Sequence, residues 1–136
     1  MKNVLKLCSI LILSVLISHC GRPTINTAAG SWQYLGDKWV NFGVDHDELM
    51  LGNIRDNFRQ IRLRVTDGPL HIMDMKVHYD NGGVQDIPIK ALIKQGQQSR
   101  IIDLNGGSRS LEKITFWYET VGFRKGRSRV AVWALK

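Results

Sequence analysis

Three observations predict an all-β fold, a single-domain antiparallel β-sandwich of jelly-roll type with about eight or nine short strands. Apolar residues recur with a period of two nearly everywhere from residue 31 onward. Turn chemistry, "DG" at 67–68 and "NGG" at 81–83 and 105–107, punctuates that alternation. No segment sustains a helical period; only residues 48–55 and 91–95 fit a single helical turn.

The strands follow in order. "SWQYLGDKWVNFGV" (31–44) alternates large apolar and polar residues around Gly36 and Asp37. "RQIRLRVT" (59–66) sets Ile61, Leu63 and Val65 against Gln60, Arg62 and Arg64, the pattern of a half-buried strand. In "PLHIMDMKVHYD" (69–80), Met73, Met75, Val77 and Tyr79 alternate against Asp74, Lys76 and His78, while Leu70 and Ile72 keep the other parity. That switch predicts a bulge near Ile72 to Asp74. "NGG" (81–83) tolerates the positive φ of a tight hairpin turn, and "VQDIPIK" (84–90) returns from it. Pro88 cannot donate to a ladder, so the returning strand belongs at an edge or carries a bulge. "QSRIIDL" (98–104) is a short strand. "SLEKITFWYET" (110–120) places Ile114, Phe116 and Tyr118 opposite Thr115, Trp117 and Glu119. "RSRVAVWALK" (127–136) is apolar on both faces, as a central strand is.

The segment before these strands has a different character. Lys2 and Lys6 open the chain with no acid among them, and "LCSILILSVLI" (7–17) follows. Eleven apolar or small residues fit a signal-peptide core of ~7–15 residues and are too few to span a bilayer as a helix. Residues 1–20 therefore read as a signal peptide, 21–30 as a short polar tether and 31–136 as the β-sandwich domain. The expected location is the periplasm or the exterior. Ser18 and Cys20 suit ordinary cleavage before Gly21. The alternative is lipidation of Cys20, against which stands bulky His19 just before the cysteine. The chain has two cysteines, Cys8 and Cys20, so from residue 21 onward there is no disulfide, thiol nucleophile or cysteine metal site.

The composition, 43% hydrophobic and 23% charged, is that of a globular protein and excludes a disordered or membrane-spanning chain. Without Lys2 and Lys6, 17 of the 19 basic residues face 12 acidic ones. A surplus of five positive charges favours anionic partners such as envelope lipid or glycan, although it also serves plain solubility. Export argues against nucleic acid.

An ordered set of short pieces adds a resemblance. They are "YLG" (34–36), "VDHDE" (44–48), "FRQIRLRV" (58–65), "DMKVHYDNG" (74–82), "IPI" (87–89), "SRIIDLNGG" (99–107), "ITFWY" (114–118) and "GRSRVAVW" (126–133). Through them, residues 32–133 resemble a family of small secreted bacterial β-proteins known only as a domain of unknown function. The resemblance implies an export signal and a compact β domain, and brings no catalytic residue.

Candidate sites follow from residue chemistry. Asp45, His46, Asp47 and Glu48 form the densest polar cluster, and carboxylates suit a hard cation. The cluster lacks the remaining ligands of a calcium loop, and a solvated turn whose acids pair with arginines is the simpler account. No G-x-S-x-G, H-E-x-x-H or phosphate-binding loop is present, and no cofactor is implied. His71 and His78, an odd spacing apart, belong on opposite faces of a regular strand. The basic residues point further. Arg62 and Arg64 share an outward face, and Arg124, Lys125, Arg127 and Arg129 cluster in "FRKGRSR". Such groups can hold anionic headgroups or acidic glycans by charge-assisted hydrogen bonds, or simply form a solvated surface. Among Trp32, Trp39, Trp117 and Trp133, Trp117 is the best stacking platform, since Ile114, Phe116 and Tyr118 take the other face. These features predict a non-enzymatic binding or structural module of the cell envelope, working on lipid, glycan or another envelope protein. The alternative is a hydrolase of envelope polymers with carboxylates gathered by the fold.

Overall fold

The structure is a computed structural model that describes residues 30–41, 44–120 and 127–136. Nine strands run in the order β1 (Gln33–Val40), β2 (Val44–Met50), β3 (Asn57–Phe58), β4 (Gln60–Thr66), β5 (Leu70–Tyr79), β6 (Val84–Ile93), β7 (Ile102–Asp103), β8 (Arg109–Thr120) and β9 (Ser128–Leu135). One sheet has the order β1-β9-β4-β7 and the other β2-β8-β5-β6, with β3 paired to the start of β8. All pairings are antiparallel.

With two-residue β3 set aside, this is the strand order of a jelly roll. The pairs nest around one turn. β5 joins β6 at the centre, β4 joins β7, β2 joins β8 and β1 joins β9. The chain is thus one long hairpin, rolled so that successive pairs fall in alternate sheets.

Alternation supplies the core. Ile61, Leu63 and Val65 of β4 and Val130, Val132 and Ala134 of β9 point inward from the first sheet, each with no exposed surface. Ile72, Met75 and Val77 of β5 meet them with Ile114, Phe116 and Tyr118 of β8. Burying each large apolar side chain stabilises the fold by roughly 1.5–3 kcal/mol. β9 is central in its sheet and β6 lies at an edge, as the apolar content of one and Pro88 of the other predict.

The predicted bulge is present. Ile72 pairs with Tyr118 and Asp74 with Trp117, so Met73 is the extra residue that changes the parity of β5. A second bulge at Glu112 lets Leu111 and Ile114, an odd distance apart, both face the core. A third lies in β6, where Lys90 adopts a left-handed φ of 45° between the partners of Ile72 and Asp74.

Four local expectations need correction. Residues 91–93 continue β6 instead of forming a helical turn, because Ala91, Leu92 and Ile93 find partners in Ile72, His71 and Leu70. Residues 48–50 likewise belong to β2. The "VDHDEL" segment is strand β2 and not a solvated turn, held along its length by β8. Residues 98–104 contribute only the two-residue β7, plus a bridge between Gln98 and Arg64.

One end of the sandwich is tied by Arg109. Its guanidinium donates to the Asn105 carbonyl at 2.8 Å and to Asn81 Oδ1 at 3.2 Å, and lies 3.9 Å from the Tyr79 ring centroid. It therefore joins the two Asn-Gly-Gly turns. Gly106 has φ 85°, which favours glycine, and a Cβ there would sit 2.8 Å from Arg109 Nη1 and push the guanidinium aside. Gln85 adds a link by donating to the Asp103 carbonyl and accepting from Asn105 N and the Tyr79 hydroxyl.

Candidate functional site

The outer face of the β1-β9-β4-β7 sheet gathers three tryptophans and a tyrosine with three arginines. Cross-strand register explains how. Tyr34, Trp133 and Arg62 occupy one row across β1, β9 and β4; Asp37, Ala131 and Arg64 the next; Trp39, Arg129 and Thr66 the third. A bulge between Tyr34 and Gly36 is what brings Tyr34 and Asp37 to the same face despite their odd spacing.

Between these rows lies an open depression of about 230 Å³. Tyr34 and Trp133 wall one end, edge to face with centroids 5.5 Å apart. Arg129, Asp37 and Thr66 line the other, with Arg64 to one side. Small Ala131 leaves room at the middle. A neighbouring hollow of about 480 Å³ includes Trp39, Lys38, Asp47 and Tyr118 and shares Asp37, so the concave surface continues around β1.

Asp37 organises the charges. Arg129 donates to it through Nε at 2.6 Å and Nη2 at 2.8 Å, and the Tyr34 hydroxyl also donates to it. The Arg129 contact holds the Asp37 carboxyl below the usual aspartate range, and the same contact raises the affinity of Arg129 for its proton. The hydrogen bond to Asp37 is also the main reason the Tyr34 hydroxyl is pushed up. Arg129 is thereby neutralised and fixed, with its guanidinium 5.5 Å from the Trp39 ring centroid. Arg62 is covered by Trp32, whose ring lies 4.1 Å from the guanidinium carbon. Arg62 Nε and Trp133 Nε1, on directly paired residues, are the buried side-chain atoms without a hydrogen-bond partner among the described residues. Arg64 is exposed and is tied to no carboxylate among the described residues. Tyr34 and Trp39 keep 46% and 44% of their surface exposed, which makes them accessible stacking surfaces.

The sequence-predicted residues separate. Arg62, Arg64 and Arg129 come together on this face. Arg127 is exposed just before β9, and Arg124 and Lys125 lie outside the described residues. Trp117 belongs to the opposite sheet, stacked on His46 at 6.0 Å beside a hollow of about 350 Å³ that includes Asp74, Lys76 and Pro88. Tyr34, Asp37 and Trp39 are the residues that sequence reasoning did not assign. The only available signal was the alternation around Gly36, which does not reveal the bulge.

Asp47 and Glu48 diverge, as neighbours on a strand must. Asp47 accepts from the Tyr118 hydroxyl at 2.8 Å and lies 3.6 Å from Lys38. Glu48 accepts from Lys113 at 2.9 Å, a contact that lowers its pKa. No group of three metal-ligating side chains converges among the described residues, and the Asp45 side chain lies outside them. His71 and His78 share an outer face despite their odd spacing, because the bulge at Met73 falls between them and shifts the parity: both are half-buried, with His71 3.7 Å from Glu119 and His78 3.3 Å from Thr115 Oγ1.

Fold and face together define a jelly-roll β-sandwich with an aromatic and arginine-bearing sheet surface. The chain belongs to the family described as "Domain of unknown function (DUF2541)", which it matches over residues 8–134. No curated protein matches it. Among solved structures it is similar to Pseudomonas aeruginosa AlgX, with TM-score 0.53 and 14% identity over 76% of this chain. The chain spans 26% of AlgX, and the likeness is one of fold. It is also similar to the SPBc2 prophage-derived protein YomS, with TM-score 0.40 and 12% identity, over 78% of this chain and 92% of that one.

Proposed function

We propose that this is an exported protein of the cell envelope that binds an anionic envelope component through the outer face of the β1-β9-β4-β7 sheet, without catalysing a reaction. The observation that carries the reading is the conjunction of Tyr34, Trp133, Arg64 and the Arg129–Asp37 pair around one open depression, with the exposed Trp39 beside Arg129 in the neighbouring hollow. Flat rings offer stacking area at small entropic cost, and guanidinium groups offer paired donors to an anion.

Export rests on the leader, residues 1–20, with its basic start and apolar core, and the family match begins at residue 8 inside that core. No helix among the described residues is long and apolar enough to cross a membrane. Mass spectrometry of the mature N-terminus tests this part. A start at Gly21 means a free protein, diacylglycerol on Cys20 means an anchored one, and an intact Met1 overturns export.

The hydrolase alternative needs a carboxyl group able to donate a proton near neutral pH. Asp37 and Glu48 are both held in the opposite sense, as carboxylates. Asp47 is engaged by Tyr118. These contacts favour binding over chemistry.

The test is retention of the protein on protease-treated envelope polymer and on total envelope lipid. Retention that Arg64→Glu and Trp39→Ala each weaken supports the reading. Retention indifferent to both, or absent from both materials, overturns it.

A further inference from the structure

We infer that the ligand of this face is a carboxylated oligosaccharide, laid along β9 with a carboxylate on Arg64 and sugar rings against the aromatic stations at either end. The inference rests on the binding role proposed above and adds the chemical class.

Length argues for an oligomer. The row of Trp133 and Tyr34 and the row of Trp39 are four residues apart along β9, from Trp133 to Arg129. At ~3.3 Å per residue that separation is ~13 Å. A short run of linked sugar rings covers it, whereas one phosphate or one monosaccharide does not. Arg64 lies in the row between the two stations, paired across β9 with Ala131. The small side chain of Ala131 leaves the guanidinium unobstructed, and Arg64 has no carboxylate of its own among the described residues.

Charge argues for an acid. Of the two arginines lining the depression, Arg129 is neutralised by Asp37, so one positive charge remains. The fixed Arg129–Asp37 pair also offers donors and acceptors that suit hydroxyl groups beside that charge. A sugar acid supplies both a carboxylate for the fork of Arg64 and hydroxyls for the pair.

The distribution of exposed apolar groups argues against a bilayer. Along β1, β9 and β4 the large exposed apolar side chains are the aromatic Tyr34 and Trp39. Of the exposed aliphatic residues, Met50, Val84 and Leu92 belong to β2 and β6 of the opposite sheet, and Ile101, next to β7, stands alone at the edge of this sheet away from β1. A membrane-binding surface would carry its aliphatic residues beside its arginines.

The experiment measures binding of the purified protein to oligogalacturonate, to the same oligomer methyl-esterified, and to vesicles rich in phosphatidylglycerol. Variants Arg64→Ala and Trp39→Ala are compared with Lys76→Glu on the opposite sheet, each checked for folding by urea titration. We expect the free acid to bind at least tenfold more tightly than the ester. Arg64→Ala should abolish that preference, Trp39→Ala should weaken both oligomers, and Lys76→Glu should change neither. Equal affinity for acid and ester overturns carboxylate recognition; if Trp39→Ala still weakens both, the face remains a binding surface. Binding to vesicles alone, lost in Arg64→Glu, overturns the sugar and leaves the anion-binding role. Binding to none of the three overturns the sugar acid, and the envelope-retention test then decides the role of the face independently.

Discussion

The two outer faces of the sandwich are built by the same alternation and carry opposite chemistry. On the β2-β8-β5-β6 sheet three contacts join oppositely charged or ionisable groups, while exposed Asp74 and Lys90 have no ion pair among the described residues. Lys113 is 2.9 Å from Glu48, Lys76 is 3.5 Å from Asp86, and His71 is 3.7 Å from Glu119. On the β1-β9-β4-β7 sheet one pair, Asp37 with Arg129, is tightly made, and neither Arg62, covered by Trp32, nor exposed Arg64 has a carboxylate partner among the described residues. Both faces cover the same buried layer, so neither arrangement follows from packing. A face whose ions pair among themselves is finished as a surface. A face with an unspent guanidinium among exposed rings has capacity for a ligand.

The largest effect should come from removing what the faces share. Phe116 is fully buried between the sheets, and Phe116→Ala should lower stability by about 3–5 kcal/mol in urea unfolding. Both faces should be lost in the same transition; separate transitions would mean that the sheets are independent. Next comes the leftover charge. Arg64→Glu should weaken binding to the polyanion at least tenfold with little change in the urea midpoint, while Lys76→Glu leaves binding within twofold. Equal effects from the two reversals would erase the distinction between the faces.

Arg109→Ala tests the tie between the turns. It removes hydrogen bonds to Asn81 and Asn105 and the contact with Tyr79, and should cost about 1 kcal/mol. A smaller sensitivity is to pH. Asp37 has its pKa lowered in the folded state, so its contribution is present above the unfolded value and is lost as pH falls through the folded one. Wild type should therefore lose stability more steeply than Asp37→Asn as pH falls below the ordinary aspartate value of 3.8. Glu48→Gln, on an exposed pair, should leave the midpoint at pH 7 almost unchanged.

Much of the fold was legible because alternation reports which side of a strand faces the core. The parity switch placed a bulge near Ile72 to Asp74, where Met73 proves to be the extra residue, and the two apolar faces of "VAVWAL" placed β9 at the centre of a sheet. Turn chemistry was less informative. Asp67 and Gly68 form a turn, yet β4 and β5 on either side of it belong to different sheets. The Asn-Gly-Gly at 105–107 likewise passes from β7 to β8 across the sandwich. Residue preferences determine the backbone angles of a turn and not the strand that the chain meets afterwards. The same limit hid half of the site. Arg62, Arg64 and Arg129 are recognisable as outward arginines on their strands. That Tyr34, Asp37 and Trp39 come to lie beside them depends on a register between residues nearly a hundred positions apart.

The nested pairing has a consequence for how the chain reaches this structure. The central hairpin closes across the 81–83 turn, and each outer pair then closes a loop already shortened by the pair inside it. Folding should zip outward, with β1 and β9 docking last. The binding face, which draws on both, would then be assembled only at the final step. Because Gln33 pairs with Ala134, the beginning of β1 and the end of β9 lie side by side. A circular permutant joined there and reopened within 81–83 would make the earliest contact the most distant one. It should keep the fold and bind as before, yet fold far more slowly.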